Sequence, residues 1–136
     1  MNNTRLSVSI HILTLLAKAD DEWLSSDYIS GSININPVLV RKELANLSNH
    51  KLVKSREGKN GGSRLGRPAR EIYLSEVYQA VQQQDLLIKS KNKPSPYCPV
   101  GRQINKHLTE LYNDAEKALL GQLGKKTLRQ FALQFN

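Results

Sequence analysis

The chain has 136 residues, which suits one compact domain whose core needs no disulfide. Hydrophobic residues make up 39% of it, and no run of about 18 apolar residues exists, so we expect no membrane-spanning helix. It has one cysteine, which excludes an intrachain disulfide, and no features of a secretion signal at its N-terminus. We therefore expect a protein of the cytoplasm.

The net charge of +8 is concentrated in one window. Residues 1–40 hold 2 basic and 4 acidic residues, and residues 71–136 hold 9 and 6. Residues 41–70 hold 2 acidic and 9 basic residues, namely Arg41, Lys42, Lys51, Lys54, Arg56, Lys59, Arg64, Arg67 and Arg70. A charge run is often only a solvated face. A concentrated basic window is also typical of a nucleic-acid contact, because each neutralised phosphate releases condensed counterions.

The N-terminal third predicts three helices. Apolar residues of helical period, among them Leu6, Ile10, Leu13 and Ala17, predict a first helix that ends at Asp20–Asp21. Ser25 is a candidate N-cap for a short helix over Ser26–Ser30, and Gly31 is expected to break the chain.

The third helix has the clearest start. Asn36–Pro37 is typical of an N-cap followed by proline at the first helical position. Val40, Leu44 and Leu47 are spaced to face a core, and the helix is expected to end near Asn49 or His50.

The sequence then changes to the pattern of a hairpin. Leu52–Arg56 predicts a strand and Gly58–Gly62 a turn, because glycine and asparagine tolerate positive φ. We expect a returning strand that ends in Glu71–Leu74, with Arg67–Pro68 disturbing its middle. Ser75 is expected to cap a short helix over Glu76–Gln82.

The C-terminal part predicts a proline-rich loop over residues 89–99 and then two helices. The first is long, from about Val100 to Leu120, with Gly121 and Gly124 at its end. The second covers Thr127–Gln134. The long helix carries an apolar stripe that includes Ile104, Leu108, Leu111 and Ala115. A domain this small has little surface to cover that stripe, so these four residues are predicted to form a dimer interface.

This order of elements predicts a mainly α fold with a small β-hairpin: a winged helix-turn-helix with a long C-terminal dimerisation helix. The expected divisions are a DNA-binding domain at 1–82, a connecting or sensor loop at 83–99 and dimerisation helices at 100–136. In a helix-turn-helix the second helix of the motif lies in the major groove. That helix begins at Pro37, and its outward face carries Val38, Arg41, Lys42, Ala45 and Asn49. We predict that Pro37, Val38, Arg41 and Lys42 contact double-stranded DNA.

The hairpin between residues 56 and 70 is the predicted wing. Its glycines allow the backbone to approach a phosphate, and its candidate DNA contacts are Lys59, Asn60, Arg64 and Arg67. An arginine here can also enter a narrow minor groove. The alternative is an ordinary polar hairpin tip.

Two segments resemble the wing and the following helix of the Rrf-type winged-helix transcriptional regulators: LVKSREGKNGGSRL at residues 52–65 and IYLSEVYQAV at residues 72–81. The resemblance extends over nearly the whole chain. It implies a winged helix, a dimer built on the long C-terminal helix, and transcriptional control at a roughly two-fold symmetric operator.

The chain departs from this family at the sensor. Cluster-binding members have three cysteines in the loop before the long helix, and this chain has only Cys98 there, with His107 nine residues on. One thiolate cannot hold an iron–sulfur cluster, which needs four ligands. We therefore expect no metal and no cofactor. Cys98 is either a redox-reactive sensor thiol, with Lys93 and Arg102 close in sequence, or a passive cysteine.

The sequence thus predicts a sequence-specific DNA-binding regulator, a repressor, that acts as a homodimer with double-stranded DNA as its partner. The sequence contains no recognisable catalytic constellation, so we expect no enzyme. The alternative is a winged-helix module for protein contact without sequence-specific DNA binding. The effector stays open.

Overall fold

The computed structural model describes residues 4–82 and 93–136. The predicted loop over 89–99 and the division at 83–99 are thus described only from residue 93 onward. The elements, in chain order, are α1 (Thr4–Lys18), α2 (Ser26–Ile33), α3 (Pro37–Asn49), β1 (Val53–Arg56), β2 (Gly62–Leu65), α4 (Leu74–Val81), α5 (Ile104–Leu123) and α6 (Leu128–Ala132). A 3-10 turn, Ala69–Glu71, precedes α4.

The helix-turn-helix formed by α2 and α3 follows from local capping. Ser25 accepts a hydrogen bond from the backbone N–H of Tyr28, which confirms it as the N-cap of α2. Asn36 caps α3 in the same way, with proline at the first position, as predicted. The expectation that Gly31 breaks the chain is wrong. The helix runs through Gly31 to Ile33 and ends at Asn34, whose φ of 63° is one that asparagine tolerates.

The wing is a two-stranded antiparallel hairpin in which Val53 pairs with Leu65 and Arg56 pairs with Gly62. The returning strand is shorter than predicted: it ends at Leu65, and the expectation that it reaches Glu71–Leu74 is wrong. Pro68 has no backbone N–H for a strand partner, and the chain turns after it into the 3-10 turn.

One hydrophobic core lies beneath the helix-turn-helix and the wing. Ile12, Leu13 and Leu16 of α1 are fully buried in it, and so are residues of most other elements: Ile29, Val40, Leu47, Leu52, Ile72, Val77 and Leu128. The predicted inward stripe of α3 is confirmed. Because Leu128 belongs to this core, α6 packs with the winged helix-turn-helix, although the sequence analysis grouped it with the dimerisation helices of residues 100–136.

The ends of the last three helices differ from the prediction. Ser75 is not the N-cap of α4, because the helix already begins at Leu74 and Tyr73 is its N-cap. The Leu74 N–H donates a hydrogen bond to the carbonyl of Lys126, next to a β-bridge between Tyr73 and Thr127. The long helix begins one turn later than expected and ends at Leu123, with Gly124 as its C-cap, so Gly121 lies inside it. The last helix is shorter than Thr127–Gln134.

The helices of residues 4–82 and 93–136 include none with the length and hydrophobicity that a membrane span requires.

Candidate nucleic-acid interface

The outward face of α3 presents the side chains that the sequence selects for base contact. Val38 is 60% exposed at the start of the helix, beside the half-buried Pro37. Arg41 and Lys42 follow one turn later and are exposed. The arrangement results from the period of the helix, because the core takes Val40, Leu44 and Leu47 from the opposite side.

The cations on this face are not neutralised. In the described part of the chain, no carboxylate lies within 4.0 Å of the charged nitrogens of Arg41 or Lys42. Among the described residues, the Arg41 side chain makes one hydrogen bond, a 3.5 Å contact in which Nη1 donates to Ser26 Oγ on α2, which is long for a hydrogen bond. The guanidinium donors therefore remain free for a ligand.

Glu43 anchors α3 to the rest of the domain. Its side chain is buried beneath the helix, and its carboxylate accepts hydrogen bonds from Arg5 Nε at 2.9 Å and from Ser9 Oγ at 3.4 Å, both on α1. Asn46 adds a bond from Nδ2 to the carbonyl of Ala80 on α4, at 2.9 Å. Sequence reasoning missed Glu43, although its spacing of three from Val40 and four from Leu47 places it on the inward stripe.

The tip of the wing is open and cationic. Lys59 and Asn60 are both exposed there, beyond Gly58, whose φ of 99° requires glycine. At the base of the tip, a Cβ on Gly62 would lie 2.5 Å from the carbonyl oxygen of Leu24. This close approach lets Leu24 exchange two backbone hydrogen bonds with Ser63, at 2.9 and 2.8 Å.

The arginines of the wing divide into two kinds. The guanidinium carbon of Arg64 lies 4.3 Å from the ring centroid of Trp23, and that of Arg56 lies 4.5 Å from the same ring. Arg67, by contrast, forms an ion pair with Glu76 of α4. Of the four predicted DNA contacts in the wing, Arg67 is thus the one that has a carboxylate partner among the described residues. The structure also adds Arg56 and Trp23, which the sequence analysis did not select.

None of the residues of the long helix α5 is buried within a single chain. Of the four predicted interface residues, Leu111 is 60% exposed, Ala115 is exposed, and Ile104 and Leu108 are half-buried. The helix packs on α4, where Gln82 Nε2 donates to Glu116 Oε1 at 3.3 Å. Among the described residues of a single chain, Leu111 and Ala115 therefore stay exposed, and Ile104 and Leu108 are only partly covered.

The candidate sensor residue, Cys98, has no group of metal-ligand side chains around it in the described part of the chain. Cys98 is exposed, and His107 is 62% exposed with its Nδ1 3.7 Å from Glu110 Oε2. Over residues 4–82 and 93–136, no three side chains of histidine, cysteine, aspartate or glutamate are grouped as metal ligands.

Comparison with known proteins gives the same architecture over almost the whole chain. A family model named Rrf2 and described as an iron-dependent transcriptional regulator matches residues 2–134. The HTH-type transcriptional regulator YwnA of Bacillus subtilis is 41% identical over 129 residues, which are 95% of each chain. The HTH-type transcriptional regulator NsrR of Oceanobacillus iheyensis is 28% identical over 122 residues, or 85% of this chain and 83% of that one.

Solved structures agree. A crystal structure described as that of a DNA-binding protein superposes with a TM-score of 0.75 at 34% identity. The superposition covers 94% of this chain and 98% of the other. The global cysteine regulator CymR of Bacillus subtilis superposes with a TM-score of 0.71 over all of this chain and 98% of that one, at 18% identity, which supports the fold alone. The winged-helix fold and the resemblance found in the sequence are confirmed. The chain belongs to the Rrf2 family of transcriptional regulators.

Proposed function

We propose that the protein is a transcriptional regulator that binds a roughly two-fold symmetric operator as a homodimer and represses transcription from it. The observation that carries the proposal is the outward face of α3, where Arg41 and Lys42 are exposed and have no carboxylate partner in the described chain. Family membership and the names of the relatives support regulation rather than catalysis.

Base recognition falls to α3 in this proposal. An arginine early in a recognition helix can donate two hydrogen bonds to guanine N7 and O6, which is worth about 1–3 kcal/mol of discrimination. Arg41 has the exposure and the free donors for that role, and the exposed Val38 suits contact with a thymine methyl group. Pro37 and Lys42 flank them on the same helix.

Contact with the DNA backbone falls to the wing. Lys59 and Asn60 at its tip and Arg64 on β2 are the proposed phosphate contacts. Arg67 stays a prediction, because its guanidinium would have to share its donors with Glu76 or leave it. Phosphate contacts fix the position of a protein on DNA and base contacts specify the sequence, so the two groups make separable contributions.

Dimerisation is assigned to α5. Its apolar stripe includes the exposed Leu111 and Ala115 and the half-buried Leu108. Exposure of this apolar surface to water is unfavourable, and a second copy of the helix is a partner of matching chemistry. A dimer presents two copies of α3, which is the reason for proposing a two-fold symmetric operator. We propose repression because a dimer seated on an operator blocks access to the DNA beneath it.

The iron named in the family description does not fit the donors of this chain. Exposed Cys98 is the only thiol in the sequence, and no ligand group of three forms in the described residues. We therefore assign no role to a metal.

The proposal is tested by fluorescence anisotropy with the upstream region of the protein's own gene and with a random duplex of equal length, each at two salt concentrations. We expect tighter binding to the upstream region and a steep loss of affinity with salt on both duplexes. Equal, weak binding to both duplexes would favour a winged-helix module for protein contact.

A further inference from the structure

We propose that Trp23, in the turn between α1 and α2, is a positioning residue for the wing, holding Arg56 and Arg64 where they meet the DNA backbone. The inference rests on the proposed function. It concerns a residue that does not itself need to touch DNA.

The register of the hairpin brings the two arginines together. Arg56 pairs with Gly62, and Arg64 pairs with Lys54 two positions along. Since side chains alternate along a strand, Arg56 and Arg64 lie on the same face of the sheet. Both guanidinium carbons lie within 4.5 Å of the centroid of one indole ring.

The indole ring is fixed relative to the wing. The next residue, Leu24, is joined to Ser63 by backbone hydrogen bonds in both directions, at 2.9 and 2.8 Å. Gly62 allows this approach, because a Cβ there would lie 2.5 Å from the Leu24 carbonyl oxygen. Trp23 is itself half-buried. The turn that carries the ring therefore moves together with strand β2.

The outer contacts of the two guanidinium groups complete the arrangement. Arg64 Nη1 donates to the backbone carbonyl of Asp21 at 3.4 Å, and Arg56 donates to the backbone carbonyl of Asn60 in the wing tip. Neither has a carboxylate within ion-pair distance in the described ranges. The positive charge of both groups is thus held in place and left available to phosphate.

The physical effect of the ring is to order two long side chains before DNA arrives. Tryptophan attracts a guanidinium group more strongly than other aromatic rings do, and a stacked arginine keeps its edge N–H donors free. Ordering a rotamer-rich side chain during binding costs affinity, and a side chain ordered beforehand avoids that loss. Removing the ring should therefore weaken DNA binding by about tenfold although both arginines remain.

The test compares Trp23→Leu, which removes the aromatic face, with Trp23→Phe, which keeps one. The probe is a duplex enriched from a random library by the wild-type protein, and thermal unfolding confirms that each variant is folded. We expect Trp23→Leu to bind about tenfold more weakly and Trp23→Phe to recover most of the loss. In a background of Arg56→Ala with Arg64→Ala, Trp23→Leu should have no further effect.

A second variant keeps the test independent of changes at Trp23. Arg56→Lys with Arg64→Lys retains both charges but removes the planar groups that stack, so it should lose a similar factor. The inference is overturned if Trp23→Leu or the double lysine variant binds like the wild type, or if Trp23→Leu loses the same factor without the arginines. A wild-type protein that binds no DNA would instead refute the proposed function.

Discussion

The basic residues of the chain differ in whether a carboxylate partner already neutralises their charge. Arg5 is paired with the buried Glu43, and Arg67 with Glu76, so both have structural partners. Arg41 and Lys59 have no such partner among the described residues, and both are exposed. The basic window over residues 41–70 counts Arg41, Lys59 and Arg67 alike as positive charge, and the structure distinguishes them by their partners.

The unpaired cations should fall into two functional classes. Arg41→Ala should cost about 1–3 kcal/mol of binding free energy on the enriched duplex and relax the preference at one base pair, because it removes the proposed base contact. Lys59→Ala should weaken binding to all sequences alike and lower the slope of log K against log salt by about one unit. Anisotropy titrations with enriched and random duplexes at several salt concentrations measure both effects.

The matched control for these two variants is Arg129→Ala, which removes an exposed positive charge from α6. It should leave both the affinity and the preference unchanged. If Arg41→Ala keeps the sequence preference of the wild type, the outward face of α3 has been assigned wrongly.

Cys98 allows a prediction about iron, which the family description names. The purified protein should contain no iron–sulfur cluster, because the single exposed thiol cannot supply the thiolates that a cluster needs. Anaerobic purification followed by absorption spectroscopy and by iron and sulfide assays measures this directly. A stoichiometric brown chromophore that is lost in Cys98→Ala would contradict the prediction.

At the scale of elements, the position of α3 depends on a polar anchor as well as on apolar packing. Glu43→Ala should lower the free energy of unfolding by about 3 kcal/mol, because it removes the partner of Arg5 beneath the helix. Urea unfolding followed by circular dichroism measures the change. Glu110→Ala, at a carboxylate that is 63% exposed on α5, serves as the control and should have little effect. Equal stability of Glu43→Ala and the wild type would mean that the ion pair does not anchor α3.

Elements with strong local signals were predicted from the sequence, and those that depend on distant contacts were not. The caps Ser25 and Asn36 act within three residues, so the starts of α2 and α3 could be placed correctly. The start of α4 depends on a bridge between Tyr73 and Thr127, more than 50 residues apart, which no local pattern reveals. Trp23 was missed for the same reason, because its contacts with Arg56 and Arg64 form only once the wing folds against the turn.

At the scale of the whole molecule, α5 is the helix whose apolar residues a single chain leaves partly or fully exposed. Leu111→Glu should convert the proposed dimer to monomers, since two-fold symmetry places the substitution in the interface twice. Losing two buried leucines corresponds to about 3 kcal/mol, or on the order of a hundredfold in the dimer dissociation constant. Sedimentation equilibrium at micromolar concentration measures it.

Binding to the enriched duplex should weaken in the same variant, because two half-sites are no longer contacted together. Asn113→Glu, at an exposed polar position of the same helix, is the charge-matched control. A wild-type protein that sediments as a monomer would rule out the proposed dimer.

The measurement that tests the central claim most directly is selection of duplexes from a random library by the wild-type protein, followed by sequencing. We expect enrichment of a roughly two-fold symmetric motif, with half-site centres separated by one helical turn or a multiple of it. Arg41→Ala used in the same selection should lose preference at one base pair of each half-site. A library that shows no enriched motif after selection by a folded, dimeric protein would contradict sequence-specific DNA binding by this chain.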